Sequence, residues 1–337
     1  ELVKVNKNVI VVTVGGAPML MPFLDHVKAV LHMYLGGQGV LEACARLLTG
    51  RVNPSGKLAE TYPKRLKDVV NDSYYAPDSD DVEYRESIFV GYRYYDTFHI
   101  PTLFDFGYGL SYTTFEYSRL AIEENTYDGG LLNVHMTITN TGDYKGKEIV
   151  QVYVDNPECN YLRANRELRG FTKVELDKGE SKEITITLDE SSFSIYDVDK
   201  ARWVMPSGTY TICVGASLHD IRLNKTIKVQ GEDYNPNQRE KYRAYFELGN
   251  KLGTPLCSND FKALYGREFS HFDDVKKGEY TIYHSLQILG KTSKVNRAAL
   301  SIVKFLYYRM NKNKPKDDPG IQMIISALCE GPLDCVI

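Results

Sequence analysis

Two glutamates in the stretch VEYRESIFVGYR, Glu83 and Glu86, are the carboxylates best placed for acid–base or nucleophilic chemistry. They follow a polar, acidic loop, NDSYYAPDSDD, that could extend to the rim of a cleft. The alternative is structural: the glutamates form ion pairs with Arg85 or Arg93, and hydrogen bonds lock the segment. We favour the structural interpretation and keep both glutamates as candidate catalytic residues.

No metal-binding or nucleophile motif accompanies these glutamates. Asp78, Asp80 and Asp81 lack the DxDxDG pattern and terminal glutamate of an EF-hand loop, so we expect a solvated loop. None of the seven histidines belongs to a known nucleophile motif, and GxSxG is absent. The turn GGQGV matches no phosphate-binding fingerprint. We therefore expect neither a metal nor an organic cofactor.

Charge and composition argue against some classes of partner. The net charge is −3, and no run of about 18 apolar residues occurs. We therefore expect no nucleic acid and no membrane as a partner. The cysteines are scattered without a CxxC pair, which predicts free thiols in a reducing compartment. They are Cys44, Cys159, Cys213, Cys257, Cys329 and Cys335.

The first seventy residues have the pattern of the end of an α/β domain. The apolar run VIVVTVGG predicts a strand buried on both faces. In PFLDHVKAVLHMYL, Val27, Val30 and Tyr34 recur at helical spacing and predict a helix. VLEACARLLTG predicts a second helix that stops at Gly50. Because the chain enters the strand without an initiator Met, we expect that it was cut from something longer.

From about Arg119 to Gln230 the hydrophobic period changes to two. Leu132, Val134 and Met136 alternate with polar residues, and turn signals such as DGG, NTGD and DKGE separate the apolar runs. About seven short strands at this spacing predict an antiparallel β-sandwich. The absence of a Cys…Trp…Cys signature favours the fibronectin type III type over an immunoglobulin domain.

After Gln230 a polar linker, GEDYNPNQREKY, precedes a predicted helix that continues through Phe246. Ile302 and Leu306 mark the apolar face of a later helix. Its basic end, RMNKNKPK, would suit a membrane-surface helix. We favour docking onto a neighbouring domain, because the face is short and Lys304 lies within it.

Five motifs then connect the chain to a known family. They are VNPSGKLAETYP (52–63), EYRESIFVGYRYYD (83–96), LFDFGYGLSYTTFEYS (103–118), TNTGDYKGKEIVQVYV (139–154) and ELRGFTKVELDKGES (167–181). In this order they resemble the C-terminal half of family-3 glycoside hydrolases, the β-glucosidase group, over about residues 1–230. The sequence departs from the family at Ser87, where glycine is common, and in LGGQGVLEA, which is compressed.

The resemblance implies a mixed fold: a partial α/β sandwich segment, then an antiparallel fibronectin type III-like β-sandwich, then a mostly helical C-terminal extension. In the crossing segment between the first two parts, aromatic rings would pack in the interface between the domains. The backbone would turn at Gly91, Gly107 and Gly109, where the rings leave no room for Cβ atoms. The implied parts are the α/β sandwich end (1–68), the aromatic crossing segment (69–118), the β-sandwich (119–230) and the helical extension (231–337).

The resemblance also implies a retaining β-glycosidase that releases a terminal β-linked sugar. The family's nucleophile is an Asp on a (β/α)8 barrel, and its acid/base is a Glu on a loop ahead of the strand VIVVTVGG. Neither motif occurs here, so we expect both outside this chain. The expected partner is the N-terminal barrel half of the same enzyme, with a β-linked glucoside or oligosaccharide as substrate. A non-catalytic carbohydrate- or protein-binding module is the alternative, and a bacterial cytoplasmic location is expected.

Overall fold

A computed structural model describes residues 1–72, 74, 82–251, 256–266, 275–276, 278–282 and 284–331. The chain divides into two compact units, residues 1–73 with 85–260 and residues 74–84 with 261–337. Asp78, Asp80 and Asp81 lie outside the described residues.

The first unit begins with a two-stranded parallel sheet, which helix α1 (Leu2–Val5) precedes. Strand β1 (Ile10–Thr13) pairs in register with β2 (Ala29–His32). The predicted helix over PFLDHVKAVLHMYL is therefore wrong, because Ala29–His32 form a strand. A short apolar run fits a buried strand as well as a helix, and pairing with β1 decides between them. The next helix is confirmed as α2 (Val40–Leu48).

Strand β1 lacks the two buried faces that its apolar run predicts. Ile10 is 52% exposed and Val12 is 40% exposed. The strand prediction is right, but the burial prediction is wrong for this chain. The reason is that β1 and β2 alone form this sheet among the described residues.

Aromatic rings pack throughout the segment that leads to the β-sandwich. Its elements are β3 (Tyr62–Pro63), α3 (Tyr92–Thr97) and β4 (Thr102–Phe104). β3 pairs with β4, and the rings of Tyr62 and Phe104 meet edge to face with centroids 6.2 Å apart. Tyr94 and Tyr95 of α3 are buried, and burial raises the pKa of Tyr94 to about 12. Edge-to-face pairs of this kind add to the free energy gained by burial.

Two positions of this segment have no room for a Cβ atom and therefore require glycine, but the neighbouring atoms do not belong to aromatic rings. Gly107 has a φ of 80°, and a Cβ atom there would overlap the Gln151 side chain. A Cβ atom at Gly109 would overlap the carbonyl oxygen of Gly56. The prediction that rings exclude Cβ atoms is therefore wrong at both positions, because an amide side chain and the backbone occupy the space.

The β-sandwich consists of a three-stranded and a five-stranded sheet. Its strands are β5 (Phe115–Ile122), β6 (Thr126–Tyr127), β7 (Leu132–Asn140), β8 (Gly146–Asp155), β9 (Arg166–Leu176), β10 (Ser181–Leu188), β13 (Gly208–Gly215) and β14 (Ile221–Val229). A separate hairpin consists of β11 (Ile195–Asp197) and β12 (Arg202–Val204). The strand orders are β10–β7–β5 and β6–β14–β13–β8–β9, and every pairing is antiparallel except that of β6 with β14. This confirms the predicted antiparallel sandwich.

Alternate side chains of the two sheets form one hydrophobic core. Val134, Met136 and Ile138 of β7 are buried within it, as the period of two predicts. Val152 of β8 and Ile212 of β13 belong to the same core. Each fully buried side chain of this size contributes about 1.5–3 kcal/mol. The sandwich therefore has a complete core, in contrast to the β1–β2 sheet.

Helices make up most of the rest. In the first unit, α4 (Arg243–Phe246) lies where the helix through Phe246 was predicted. The boundary between the units falls within the next helix, α5 (Ser258–Tyr265). The second unit contains α6 (Leu286–Thr292), α7 (Lys294–Met310) and α8 (Pro319–Glu330), and Asp318 caps the start of α8. On α7, Ile302 and Leu306 are exposed. No helix in the described ranges is long and apolar enough to cross a bilayer.

The first prediction concerns Ser87, whose φ of 52° is a left-handed conformation that costs a non-glycine residue about 1–2 kcal/mol. Glycine is common at this position in the family that the sequence resembles. We expect Ser87→Gly to raise the free energy of unfolding by about 0.5–1 kcal/mol in urea titrations. The matched control is Ser55→Gly, because Ser55 lies outside the left-handed region; it should lower the free energy of unfolding by about 0.5–1 kcal/mol. Equal changes in the two variants would contradict the strain argument.

Candidate functional site

Asn53 of the motif VNPSGKLAETYP attaches the α/β segment to the β-sandwich. Its Nδ2 donates to the carbonyl oxygen of Lys145 at 3.1 Å. Its Oδ1 accepts from Ser111 Oγ at 2.9 Å and from the backbone N–H of Tyr112 at 2.8 Å. One side chain therefore holds a loop of the sandwich and the end of the aromatic segment together.

Lys57, four residues later, forms a buried ion pair with Glu148 of β8. Lys57 Nζ lies 3.1 Å from Glu148 Oε1, and the two side chains are only 10% and 5% exposed. Lys57 also donates to the carbonyl oxygen of Gly109 at 3.0 Å, and the Tyr117 hydroxyl donates to Glu148 at 3.0 Å. Burial raises the pKa of Glu148, although the Lys57 charge lowers it in part. The pair is therefore hydrogen-bonded on both sides, which a buried ion pair requires.

Gln151, also on β8, holds the glycine-rich turn of the aromatic segment. Its Nε2 donates to the carbonyl oxygen of Gly107 at 3.2 Å and to that of Ala216 at 2.7 Å. The turn is paired in addition with the loop of Lys57, because Gly107 N–H donates to the Leu58 carbonyl oxygen at 2.7 Å. The turn FGYG therefore has its backbone bonded on two sides.

A histidine between two aspartates ties α3 and the turn after β4 to the sandwich. His219 Nε2 lies 3.3 Å from Asp96 Oδ1, and its Nδ1 lies 3.0 Å from Asp105 Oδ1. Hydrogen bonds to Asp105 and then to Asp96 raise the pKa of His219 to about 9, against a smaller opposing effect of burial. Burial raises the pKa of Asp105, but the hydrogen bond and charge of His219, together with hydrogen bonds from Thr102 and Ser217, outweigh burial and lower the pKa. The histidine is therefore a cation at neutral pH.

A cleft of about 570 Å³ opens in the first unit. Its apolar lining includes Met19, Leu20 and the rings of α3. Its polar lining includes Glu60, Thr61, Glu86 and Arg93. Within the part of the chain that the structure describes, Glu60 Oε2 and Thr61 Oγ1 are buried without a hydrogen-bond partner. The cleft could therefore accept a polar group from a ligand or from another segment of protein.

The two glutamates that the sequence singles out belong to different units. Glu86 is buried and lines the cleft, whereas Glu83 is half-buried and belongs to the segment 74–84 of the second unit. Each makes a polar or ionic contact. Of the two arginines, Arg93 Nε lies 3.2 Å from Glu167 Oε1, and Arg85 Nη1 donates to the Leu256 carbonyl oxygen at 2.9 Å. The expectation that this chain holds no catalytic residue, with Glu83 and Glu86 as the outside candidates, stays a prediction.

Sequence reasoning missed Glu60, a second carboxylate on the cleft. Its charge raises the pKa of His32, but burial lowers that pKa by more, so the imidazole is neutral at pH 7. Sequence reasoning also missed the Lys57–Glu148 ion pair and the contacts of His219 with two aspartates. The available signal for Glu60 and Lys57 was that both lie within a motif that resembles a family motif.

Comparison with known proteins agrees with the two parts that the Asn53 and Lys57 contacts join. Residues 1–112 match the glycosyl hydrolase family 3 C-terminal domain, and residues 148–218 match a fibronectin type III-like domain. The chain belongs to family 3 of the glycosyl hydrolases, and it matches the C-terminal portion of its relatives. In this family-3 chain, the buried ion pair lies between the two matched domains, since Lys57 belongs to the first and Glu148 to the second.

Relatives of the family-3 chain include enzymes of more than one specificity. It is 41% identical to thermostable β-glucosidase B of Acetivibrio thermocellus, over 80% of this chain and 35% of that protein. It is 39% identical to an exo-α-(1→6)-L-arabinopyranosidase of Bifidobacterium breve, over 69% and 30%. A crystal structure of a family-3 β-glucosidase from Bifidobacterium adolescentis has a TM-score of 0.66 at 34% identity, covering 75% of this chain and 38% of that one. The chain thus spans about a third of the length of the curated relatives.

The second prediction concerns the buried ion pair. Lys57→Met leaves the Glu148 charge buried without its partner, so we expect the free energy of unfolding at pH 7 to fall by about 3–5 kcal/mol. The control is Lys178→Met, which breaks an exposed pair with Asp143 at 2.7 Å and should leave the free energy of unfolding nearly unchanged. Both are measured by urea titration with circular dichroism. Similar changes in the two variants would show that burial does not set the strength of the Lys57 pair.

The third prediction follows from the raised pKa of His219. A group whose folded-state pKa is raised stabilises the fold fully below its unfolded pKa, near 6.5, and loses this effect as pH rises through about 9. We therefore expect the urea midpoint of the wild type to fall between pH 7 and pH 10. In His219→Gln the midpoint should be lower at pH 7 and should fall less. The control His135→Gln alters an exposed contact with Thr185 and should keep the wild-type slope; an unchanged slope in His219→Gln would refute the assignment.

Proposed function

We propose that this family-3 chain completes and supports the catalytic half of a retaining β-glycosidase of the β-glucosidase type. The observation that carries the proposal is the uncovered apolar surface of the α/β segment. Val12 and Val14 in and after β1, Leu35 after β2 and Leu41 of α2 are all exposed large apolar side chains. Exposed apolar patches of this kind mark interaction surfaces. The N-terminal barrel half of the same enzyme is the proposed occupant.

The proposed reaction is hydrolysis of a terminal β-linked sugar. It requires two carboxyl groups about 5 Å apart, one acting as nucleophile and the other as acid/base. We propose that both are supplied from outside this chain, an Asp on the barrel and a Glu ahead of β1. The residues of this chain then have a structural role: Asn53, Lys57 and Gln151 form the hydrogen bonds and the ion pair that hold the loops supporting the α/β part.

The proposed substrate is a β-linked glucoside or oligosaccharide. This rests on relatives named as β-glucosidases. Because another relative is named as an arabinopyranosidase, we propose that the other half sets the choice of sugar. A cytoplasmic location is part of the proposal, supported by the free thiols among the described cysteines. A stand-alone, non-catalytic carbohydrate- or protein-binding module is the alternative. Such a module should cover its own apolar surface, so the exposed apolar side chains of the α/β segment disfavour it.

The fourth prediction is that activity needs both halves. We expect this chain alone not to hydrolyse p-nitrophenyl β-D-glucopyranoside, and we expect hydrolysis after it is mixed with the barrel half. Binding of the halves is measured in parallel by analytical ultracentrifugation. Activity of the chain alone, or a bound but inactive complex, would contradict the proposal.

Two variants, tested in the mixture of this chain with the barrel half, distinguish a structural role from a catalytic one. Because Glu86 and Glu60 are proposed not to be catalytic, Glu86→Gln and Glu60→Gln should retain activity to within about tenfold, whereas loss of a catalytic carboxylate costs far more. A loss of a thousandfold or more with binding intact would make the affected glutamate catalytic.

A further inference from the structure

The hairpin of β11 and β12 presents an exposed pair of aromatic rings. Trp203, the one Trp of the sequence, is 65% exposed, and Tyr196 is 50% exposed. The two residues are directly opposite each other on adjacent strands, so their side chains share one face. Their ring centroids lie 5.5 Å apart with planes at 74°. The two rings are therefore nearly perpendicular, and both are accessible from solvent.

The hairpin is held in one shape. Buried Asp197 accepts hydrogen bonds from the backbone N–H groups of Asp199 at 3.0 Å and Lys200 at 3.1 Å, which fixes the turn. On the other strand, Arg202 makes a two-point ion pair with Glu232, with one contact at 2.7 Å. A fixed turn and a bidentate pair reduce the entropy lost when a ligand binds to the rings.

The chemistry of the pair defines the ligand. In the described part of the chain, neither the Trp203 indole N–H nor the Tyr196 hydroxyl has a hydrogen-bond partner. Each ring thus offers an apolar face together with a free polar group. A pyranose ring has the complementary surface, with C–H groups on its faces and hydroxyls around its edge.

Charge around the rings favours a neutral ligand over an anionic one. Arg202 is paired with Glu232, and Lys200 Nζ lies 3.7 Å from Asp197 Oδ2 and 5.1 Å from the centre of the Tyr234 ring. Both cations are therefore paired, and Asp199 adds a negative charge to the same turn, which would repel an anionic partner. The remaining hydrogen-bonding capacity at the rim suits hydroxyl groups.

We propose that Trp203 and Tyr196 form a surface binding site for a β-linked glucan chain. The stacking chemistry specifies a pyranose, and the choice of β-linked glucose rests on the proposed function. The site would hold a polymer or oligosaccharide on the β-sandwich. It would use no residue of the cleft and no catalytic carboxylate.

Affinity electrophoresis of this chain alone tests the proposal. Migration in native gels that contain barley β-glucan is compared with migration in gels that contain dextran, an α-linked glucan. We expect retardation by β-glucan only. Because one aromatic contact is worth up to about tenfold in affinity, Tyr196→Ala and Trp203→Ala should each weaken retardation by about that factor. The control Phe171→Ala removes an equally exposed ring on β9 and should leave it unchanged.

A second readout uses the single Trp as a probe. Cellopentaose should produce a saturable change in Trp203 fluorescence in the wild type and in Phe171→Ala, and a weaker one in Tyr196→Ala. Circular dichroism shows that each variant is folded. No retardation by β-glucan, equal retardation by dextran, or equal loss in Phe171→Ala would overturn the proposal. Because no barrel half is present, the result is independent of whether mixing the halves produces activity.

Discussion

A buried ion pair between Lys57 and Glu148 is the contact on which the arrangement of the first unit depends. Removing both charges from water is expensive, and the attraction compensates only if the remaining hydrogen-bonding positions are filled. Here the Gly109 carbonyl oxygen and the Tyr117 hydroxyl fill them. The loop of Lys57, the aromatic segment and strand β8 must therefore come together in one geometry. Neutral contacts alone would tolerate more variation.

This constraint explains why the quoted motifs occur together. Asn53 and Lys57 come from one motif, Gly107 and Gly109 from another, and Glu148 and Gln151 from a third. Each has its polar groups satisfied by the other two. Unsatisfied buried groups cost about 1–3 kcal/mol each, so changing one motif penalises the others.

The two domains of the first unit differ in how complete they are, and the proposed function rests on this difference. The β-sandwich buries the inward side chains of both sheets, whereas the β1–β2 sheet leaves Ile10 and Val12 exposed. A complete core provides a rigid support, and an uncovered α/β surface provides a place for further protein. His219 adds a charged contact between the two, and its partial exposure makes it weaker than the buried pair.

The sequence by itself determined the family, the β-sandwich and helix α2, because local periodicity and motif order carry that information. The resemblance to the family also indicated that glycine is common at position 87, where the backbone of Ser87 is left-handed. Only the tertiary structure decided that Ala29–His32 form a strand, since a four-residue apolar run fits either element until a partner strand pairs with it. Contacts such as Lys57 with Glu148 join residues far apart in sequence, and no local pattern encodes which charge meets which. Exposure of the Trp203 ring was likewise undetermined, because strand alternation predicts two faces but not what covers them.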